Sequence, residues 1–187
     1  MSALQTDENL AYHAARVLLL ITLCGTPRGK QAKTLPGIEG RTLLAKLDFF
    51  LRYPVYLKKA AQILNSTSEI SNQDLGLSTE DEIHSVESKM VRYLYGPWDN
   101  LYYIVLAYLI GKELIQVEKK QGTEIFRLTV KGNATVSELV SDPMYADLIH
   151  RANTVYKLFH KYKGYRLKEF IYKNFPEVVN REIGAVI

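Results

Sequence analysis

Metal-ligating and acid–base side chains are scattered along this chain with no pattern that indicates a site. The four histidines include no pair at the i, i+4 spacing of a helical zinc site: His13, His84, His150 and His160. The adjacent acids at 80–82 lie in an acidic polar stretch and cannot converge on one face without a special turn. The sequence therefore predicts no catalytic residue, no metal, no cofactor and no enzymatic activity.

A glycine-containing basic segment follows the only cysteine, Cys24. Residues 25–30 look superficially like a phosphate-binding loop, but the glycine spacing is one residue short and Gln31 stands where Ser or Thr should bind magnesium. A nucleotide site of that kind is therefore not expected. Three basic residues could still contact DNA phosphates, or they could simply be solvated: Arg28, Lys30 and Lys33.

Two further basic groups are candidates for contacts with macromolecules. Lys119 and Lys120 lie at the tip of a predicted hairpin, but Glu118 and Glu124 flank them, so a phosphate contact and a purely structural hairpin both stay open. Near the C-terminus, lysines and arginines alternate with tyrosines, a mixture that suits nucleic acid and an acidic protein partner equally well. We take five of these residues as a candidate partner interface: Arg166, Lys168, Glu169, Tyr172 and Lys173.

Composition places the chain among intracellular globular proteins. It has 187 residues, of which 47% are hydrophobic and 24% charged, a formal charge of +4 and one cysteine. No secretory signal is recognisable, so we expect a cytoplasmic location. The longest apolar run, 101–110, is well short of the roughly 20 residues of a membrane span, so no membrane association is expected.

The first 64 residues are predicted to form a helical module. A helix over 8–23, capped by Asp7, is followed by a long Gly/Pro loop at 25–40. A helix over 42–53 ends where Pro54 interrupts the helical hydrogen bonding, and a short helix follows at 55–64.

An acidic connector at 65–87, containing little core, separates this module from a second one at 88–187. The second module is predicted to begin with a strand at 90–95 that ends before Gly96 and Pro97. A helix at 98–112 follows, which is apolar nearly all round and is therefore expected to be buried. A hairpin at 114–130 and a helix at 131–140 capped by Thr129 come next. Helices at 145–162 and 167–175 complete the chain. This order predicts a mainly α, winged-helix-like fold with a small β-hairpin, built as one or as two winged-helix or helical modules.

Three segments together carry a family resemblance: 47–54 (LDFFLRYP), 91–99 (VRYLYGPWD) and 166–172 (RLKEFIY) followed by Phe175-Pro176. In this order and spacing they resemble the middle component of bacterial ABC three-component systems, the group that includes the small subunit of Lamassu-type anti-phage and anti-plasmid defence. Within these segments the resemblance marks a fold-defining motif: Arg52, Tyr53, Pro54, Tyr95, Gly96, Pro97 and Trp98.

The resemblance implies a non-catalytic adaptor that joins an SMC-like ATPase to an effector, often a nuclease, and helps to restrain that effector until foreign DNA is sensed. Non-specific contact with duplex DNA is an additional expectation. The alternative is a stand-alone winged-helix DNA-binding transcriptional regulator. That reading needs a positively charged recognition helix, whereas the candidate helices here are apolar or neutral.

Overall fold

Helices dominate the fold, which a computed structural model describes for residues 3–26, 34–64, 71, 73–75 and 89–187, with side chains from residue 10 onward. The α-helices are α1 (Ala3–Cys24), α2 (Arg41–Arg52), α3 (Pro54–Ile63), α4 (Leu101–Gly111), α5 (Val130–Ser141), α6 (Ala146–Phe159), α7 (Gly164–Asn174) and α8 (Pro176–Val179). Short 3-10 helices span Gln73–Leu75 and Pro143–Tyr145. None of the described helices combines the length and the apolar composition that crossing a bilayer requires.

The strands form a three-stranded antiparallel sheet and a separate hairpin. They are β1 (Gly37–Glu39), β2 (Val91–Tyr93), β3 (Gly96–Trp98), β4 (Ile115–Lys120) and β5 (Thr123–Leu128). In the larger sheet β5 lies between β1 and β4, and β2 pairs with β3. The predicted β4–β5 hairpin is confirmed, with a turn at Gln121-Gly122 whose φ angles of 49° and 80° are both positive.

Strand β1 corrects the expectation of an irregular loop over 25–40. Ile38 is only 1% exposed and pairs with Phe126 of β5. Because the strand has three residues and stands between Pro36 and Gly40, the density of helix- and strand-breaking residues concealed it. Residues 27–33 of the same segment lie outside the described part of the chain.

The central helix is α1, and the expectation that α4 is buried all round is wrong. From His13 to Ile21 every residue of α1 is buried, against α2, α4, α5, α6, β1 and β5. On α4 only four residues are buried: Tyr102, Val105, Leu106 and Leu109. Apolar composition therefore does not distinguish the enclosed helix from one with an apolar face toward solvent.

Two prolines begin helices, and a third lies in a strand. Pro54 begins α3 and Pro176 begins α8, as their fixed φ and missing N–H favour at a first helical turn. Pro97, expected to open the helix at 98–112, instead lies in β3 opposite Arg92. The predicted cap on α5 is confirmed, because Thr129 Oγ1 accepts a hydrogen bond of 2.9 Å from the Gly132 N–H.

The two segments that the sequence assigns to separate modules, 1–64 and 88–187, share one sheet and one hydrophobic core. One described residue of the predicted connector at 65–87 joins that core. Leu75 is fully buried, and its carbonyl accepts a hydrogen bond of 2.7 Å from Arg151 of α6. The acids at 80–82 lie outside the described residues.

Candidate functional site

A buried network of charged side chains fixes α4 against α1 and α2. Asp48 of α2 accepts hydrogen bonds from Arg16 Nε of α1 at 2.7 Å and from the Tyr102 hydroxyl of α4 at 2.6 Å. Arg52 lies 2.9 Å from Asp48 and donates a hydrogen bond of 2.7 Å to Asp99, just before α4. Two guanidinium groups thus face two carboxylates, and the network is neutral overall.

Burial and pairing oppose each other in setting the charge states of this network. Burial alone would raise the pKa of Asp48, but Arg16, Arg52 and the hydrogen bond from Tyr102 outweigh it and hold that pKa below its usual value. Burial and then Asp48 raise the pKa of Tyr102 well above 10.0. Asp48 therefore stays ionised and Tyr102 stays a hydrogen-bond donor at neutral pH.

His13 extends the network on α1 as a neutral side chain. Its Nδ1 lies 2.8 Å from Arg16 Nη1, which can only donate, so Nδ1 accepts. Burial, followed by the charge of Arg16, lowers the pKa of His13 to about 4. The arrangement serves to orient α4 and has no nucleophile positioned beside a base.

The face of α4 turned away from this network is apolar and exposed. Tyr103 is 56% exposed and Ile104 is 55% exposed. The same face carries Leu101, Ala107 and Ile110, and residues 101–111 include no charged side chain. An exposed apolar patch of this kind is typical of a contact surface for another macromolecule.

Beside this face, an aromatic cleft of about 500 Å³ lies between the β2–β3 hairpin, the start of α4 and the tip of the β4–β5 hairpin. Four aromatic side chains line it: Tyr93, Tyr95, Trp98 and Tyr103. Arg41, Lys119 and Glu124 also line it, and the Arg41 guanidinium lies 5.3 Å from the ring centre of Tyr103. The α4 face and the aromatic cleft share Tyr103, so they form one continuous surface.

The candidate interface on α7 has half-buried residues and exposed residues. The ammonium of Lys168 lies 5.6 Å from the ring centre of Tyr95 and 5.2 Å from that of Tyr172, while the Tyr172 hydroxyl donates a hydrogen bond of 3.0 Å to the Leu94 carbonyl. These two residues therefore attach the β2–β3 hairpin to α7. Arg166, Glu169 and Lys173 lie at the surface.

The motif residues lie in two places. Arg52 and Tyr53 are buried, and the Tyr53 hydroxyl accepts a hydrogen bond from the Met90 N–H at 2.8 Å. Tyr95, Gly96, Pro97 and Trp98 build the β2–β3 hairpin wall of the aromatic cleft, and Gly96 has a φ of 115°. The motif thus connects the α2–α3 junction to the cleft.

Two of the five expected phosphate contacts lie in the described part of the chain. Arg28, Lys30 and Lys33 lie outside the described residues. Lys119 and Lys120 are exposed near the hairpin tip, and neither forms an ion pair within the described part of the chain.

The described residues offer neither a metal-binding cluster nor a reactive thiol. Among residues 3–26, 34–64, 71, 73–75 and 89–187, no group of three or more His, Cys, Asp and Glu side chains is arranged to hold a metal ion. Burial raises the pKa of the Cys24 thiol to about 12, so this cysteine is protonated and weakly nucleophilic at neutral pH.

Sequence reasoning missed the buried network and the aromatic cleft. A signal for the network was present, because Arg16 and Asp48 interrupt otherwise apolar stretches and a buried charge needs a partner. Sequence reasoning singled out Tyr95–Trp98 and Lys119 separately, but nothing in the sequence indicated that 40–42, 93–103 and 119–124 line one cleft.

Comparisons with family models, with curated proteins and with solved structures returned no match for the chain.

Proposed function

We propose that this chain is a non-catalytic adaptor subunit that links an SMC-like ATPase to a nuclease-type effector in a cytoplasmic bacterial defence complex against phage or plasmids. In this role it helps to restrain the effector until foreign DNA is sensed. The resemblance at 47–54, 91–99 and 166–176 supports the identity of the complex. The exposed apolar face of α4 supports the mode of action, since it offers a surface for protein contact.

A winged-helix assignment for the fold supports the same proposal. Helix α1, strand β1, helix α2, helix α4 and the hairpin β4–β5 follow the winged-helix order, and α3 and the β2–β3 hairpin come between α2 and α4 in the chain. The strand order β1-β5-β4 agrees with that assignment, and α4 then takes the place of the recognition helix.

The chemistry of α4 is the observation that carries the proposal. A recognition helix that reads the major groove presents arginine, lysine, asparagine or glutamine to base edges. Residues 101–111 contain none of these, and four of their exposed side chains are large and hydrophobic: Leu101, Tyr103, Ile104 and Ile110. Such a face is suited to a protein partner and unsuited to DNA bases.

The regulator remains the second candidate because of the hairpin tip. Lys119 and Lys120 lack carboxylate partners within the described chain and lie where a wing contacts phosphates. Two phosphate contacts would give weak binding that is independent of DNA sequence and falls steeply with salt. Tight, sequence-specific binding at physiological salt would favour the regulator.

A tagged pull-down of the full chain from its native operon, with mass spectrometry of the bound proteins, tests the proposal. Recovery of a large coiled-coil ATPase together with a nuclease-like protein is the expected result. Recovery of the chain alone, or with DNA only, would contradict the adaptor role and favour the regulator.

A further inference from the structure

We propose that the aromatic cleft binds an extended segment of a partner protein in which a large apolar side chain is flanked by carboxylates. This inference rests on the adaptor proposal and deepens it by naming the chemistry of a partner segment. The cleft of about 500 Å³ is lined by the aromatic side chains of Tyr93, Tyr95, Trp98 and Tyr103 and by the charged side chains of Arg41, Lys119 and Glu124.

The aromatic side chains of the cleft can pack against one large apolar side chain of the partner segment. The ring centre of Trp98 lies 6.0 Å from those of both Tyr93 and Tyr103. Tyr93 and Tyr103 are 44% and 56% exposed, so much of their surface remains to be covered. Rigid aromatic side chains around a pocket are typical of the residues that dominate protein–protein binding energy.

The basic side chains of the cleft favour acidic residues beside the apolar residue of the partner segment. Glu124 is held by Arg41 at 2.8 Å, and Glu118 is held by Arg127 at 3.0 Å. Each of these carboxylates thus has an arginine partner, and Lys119, although it lies opposite Glu124 in the β4–β5 register, forms no ion pair within the described part of the chain. Charge complementarity then favours a segment with Asp or Glu beside its apolar residue.

The same geometry disfavours a nucleic-acid strand. Trp98 meets Tyr102 at an interplanar angle of 67° and Tyr103 at 64°, so its ring packs against edges and offers no open stacking platform. The described cations that line this cleft are Arg41, which pairs with Glu124, and Lys119, whereas a phosphate backbone needs several unpaired cations in a row.

Selection from a random dodecapeptide pool against the full chain, followed by titration of the selected peptides, tests the inference. Trp98 is the only tryptophan of the chain and lines the cleft, so its fluorescence reports occupancy directly. The variants are Tyr103→Ala and Lys119→Glu, and both side chains are exposed enough to change without disturbing the core. Lys161→Glu, an identical charge change at an exposed lysine outside the cleft, is the matched control.

We expect the pool to yield peptides with a large apolar residue between acids, which alter Trp98 fluorescence. Tyr103→Ala and Lys119→Glu should each weaken them at least about tenfold, and Lys161→Glu should change binding by less than about twofold. Failure to enrich this class, or equal binding by Tyr103→Ala, overturns the inference. So does a fluorescence change produced by oligonucleotides in place of the peptides.

The native pull-down separates the two proposals. If the ATPase is recovered but no acidic–apolar peptide class emerges, the inference about the cleft is wrong and the adaptor role stands. If the peptide class emerges and no ATPase is recovered, the cleft site stands and the adaptor role is wrong.

Discussion

Asp48→Asn should destabilise the protein by far more than any surface ion pair contributes. The substitution removes the carboxylate that Arg16 and Arg52 share, and these three residues are at most 1% exposed. Removing one partner of a buried ion pair costs about 3–5 kcal/mol, because the remaining charge stays buried. We expect a loss of about 4 kcal/mol, since Asp99 still balances Arg52 and the amide oxygen of Asn can still accept one hydrogen bond.

Urea unfolding followed by Trp98 fluorescence and far-UV circular dichroism measures this loss. With an m-value of about 2 kcal/mol/M, the unfolding midpoint should fall by about 2 M. The control is Glu177→Gln, which removes the ion pair between Glu177 and Lys59, 3.5 Å apart. The side chain of Glu177 is 43% exposed and that of Lys59 is 52% exposed. That variant should change stability by less than about 1 kcal/mol. A midpoint shift below about 0.5 M for Asp48→Asn would refute the reasoning.

Three further predictions concern stability. The pKa of His13 is lowered to about 4, so between pH 6.5 and 4 the unfolded state binds a proton at this residue and the folded state does not; the unfolding free energy of the wild type should therefore fall by up to about 3 kcal/mol over this range. If the unfolding free energy of His13→Gln depends on pH as steeply as that of the wild type, the prediction is wrong. Burial, then Lys168, lowers the pKa of Lys46 to about 8, so Lys46→Met should stabilise the fold at pH 7 by up to about 3 kcal/mol; a lower Tm would be evidence against it. Gly132→Ala should cost at least about 2 kcal/mol because its Cβ would overlap the Leu114 carbonyl, whereas Gly111→Ala, in open space, should be neutral or stabilising; equal losses in urea would count against this.

Local pattern predicted much of the secondary structure. The β4–β5 hairpin followed from two strand-like runs around Gln121-Gly122, and the cap on α5 followed from Thr129. These features depend on residues that are neighbours in sequence, and their physical causes are therefore visible there.

Features that depend on distant residues were missed. Strand β1 exists because Ile38 pairs with Phe126, and the exposed face of α4 exists because α1 fills the centre of the core. Neither relation can be read from a window of local sequence. The candidate site depends on the same long-range packing, since Trp98 and Lys119 meet across the cleft only after the chain has folded.

The most direct test of the central claim is a pair of substitutions with nearly equal exposure, measured by co-purification with the native operon partners. Ile104 on the α4 face is 55% exposed and Val140 on α5 is 54% exposed. Both Ile104→Asp and Val140→Asp should keep the wild-type Tm within a few degrees, since neither changes the core. If α4 contacts a partner, Ile104→Asp should lose the ATPase or the effector while Val140→Asp retains both. Retention of both partners by Ile104→Asp would contradict the account.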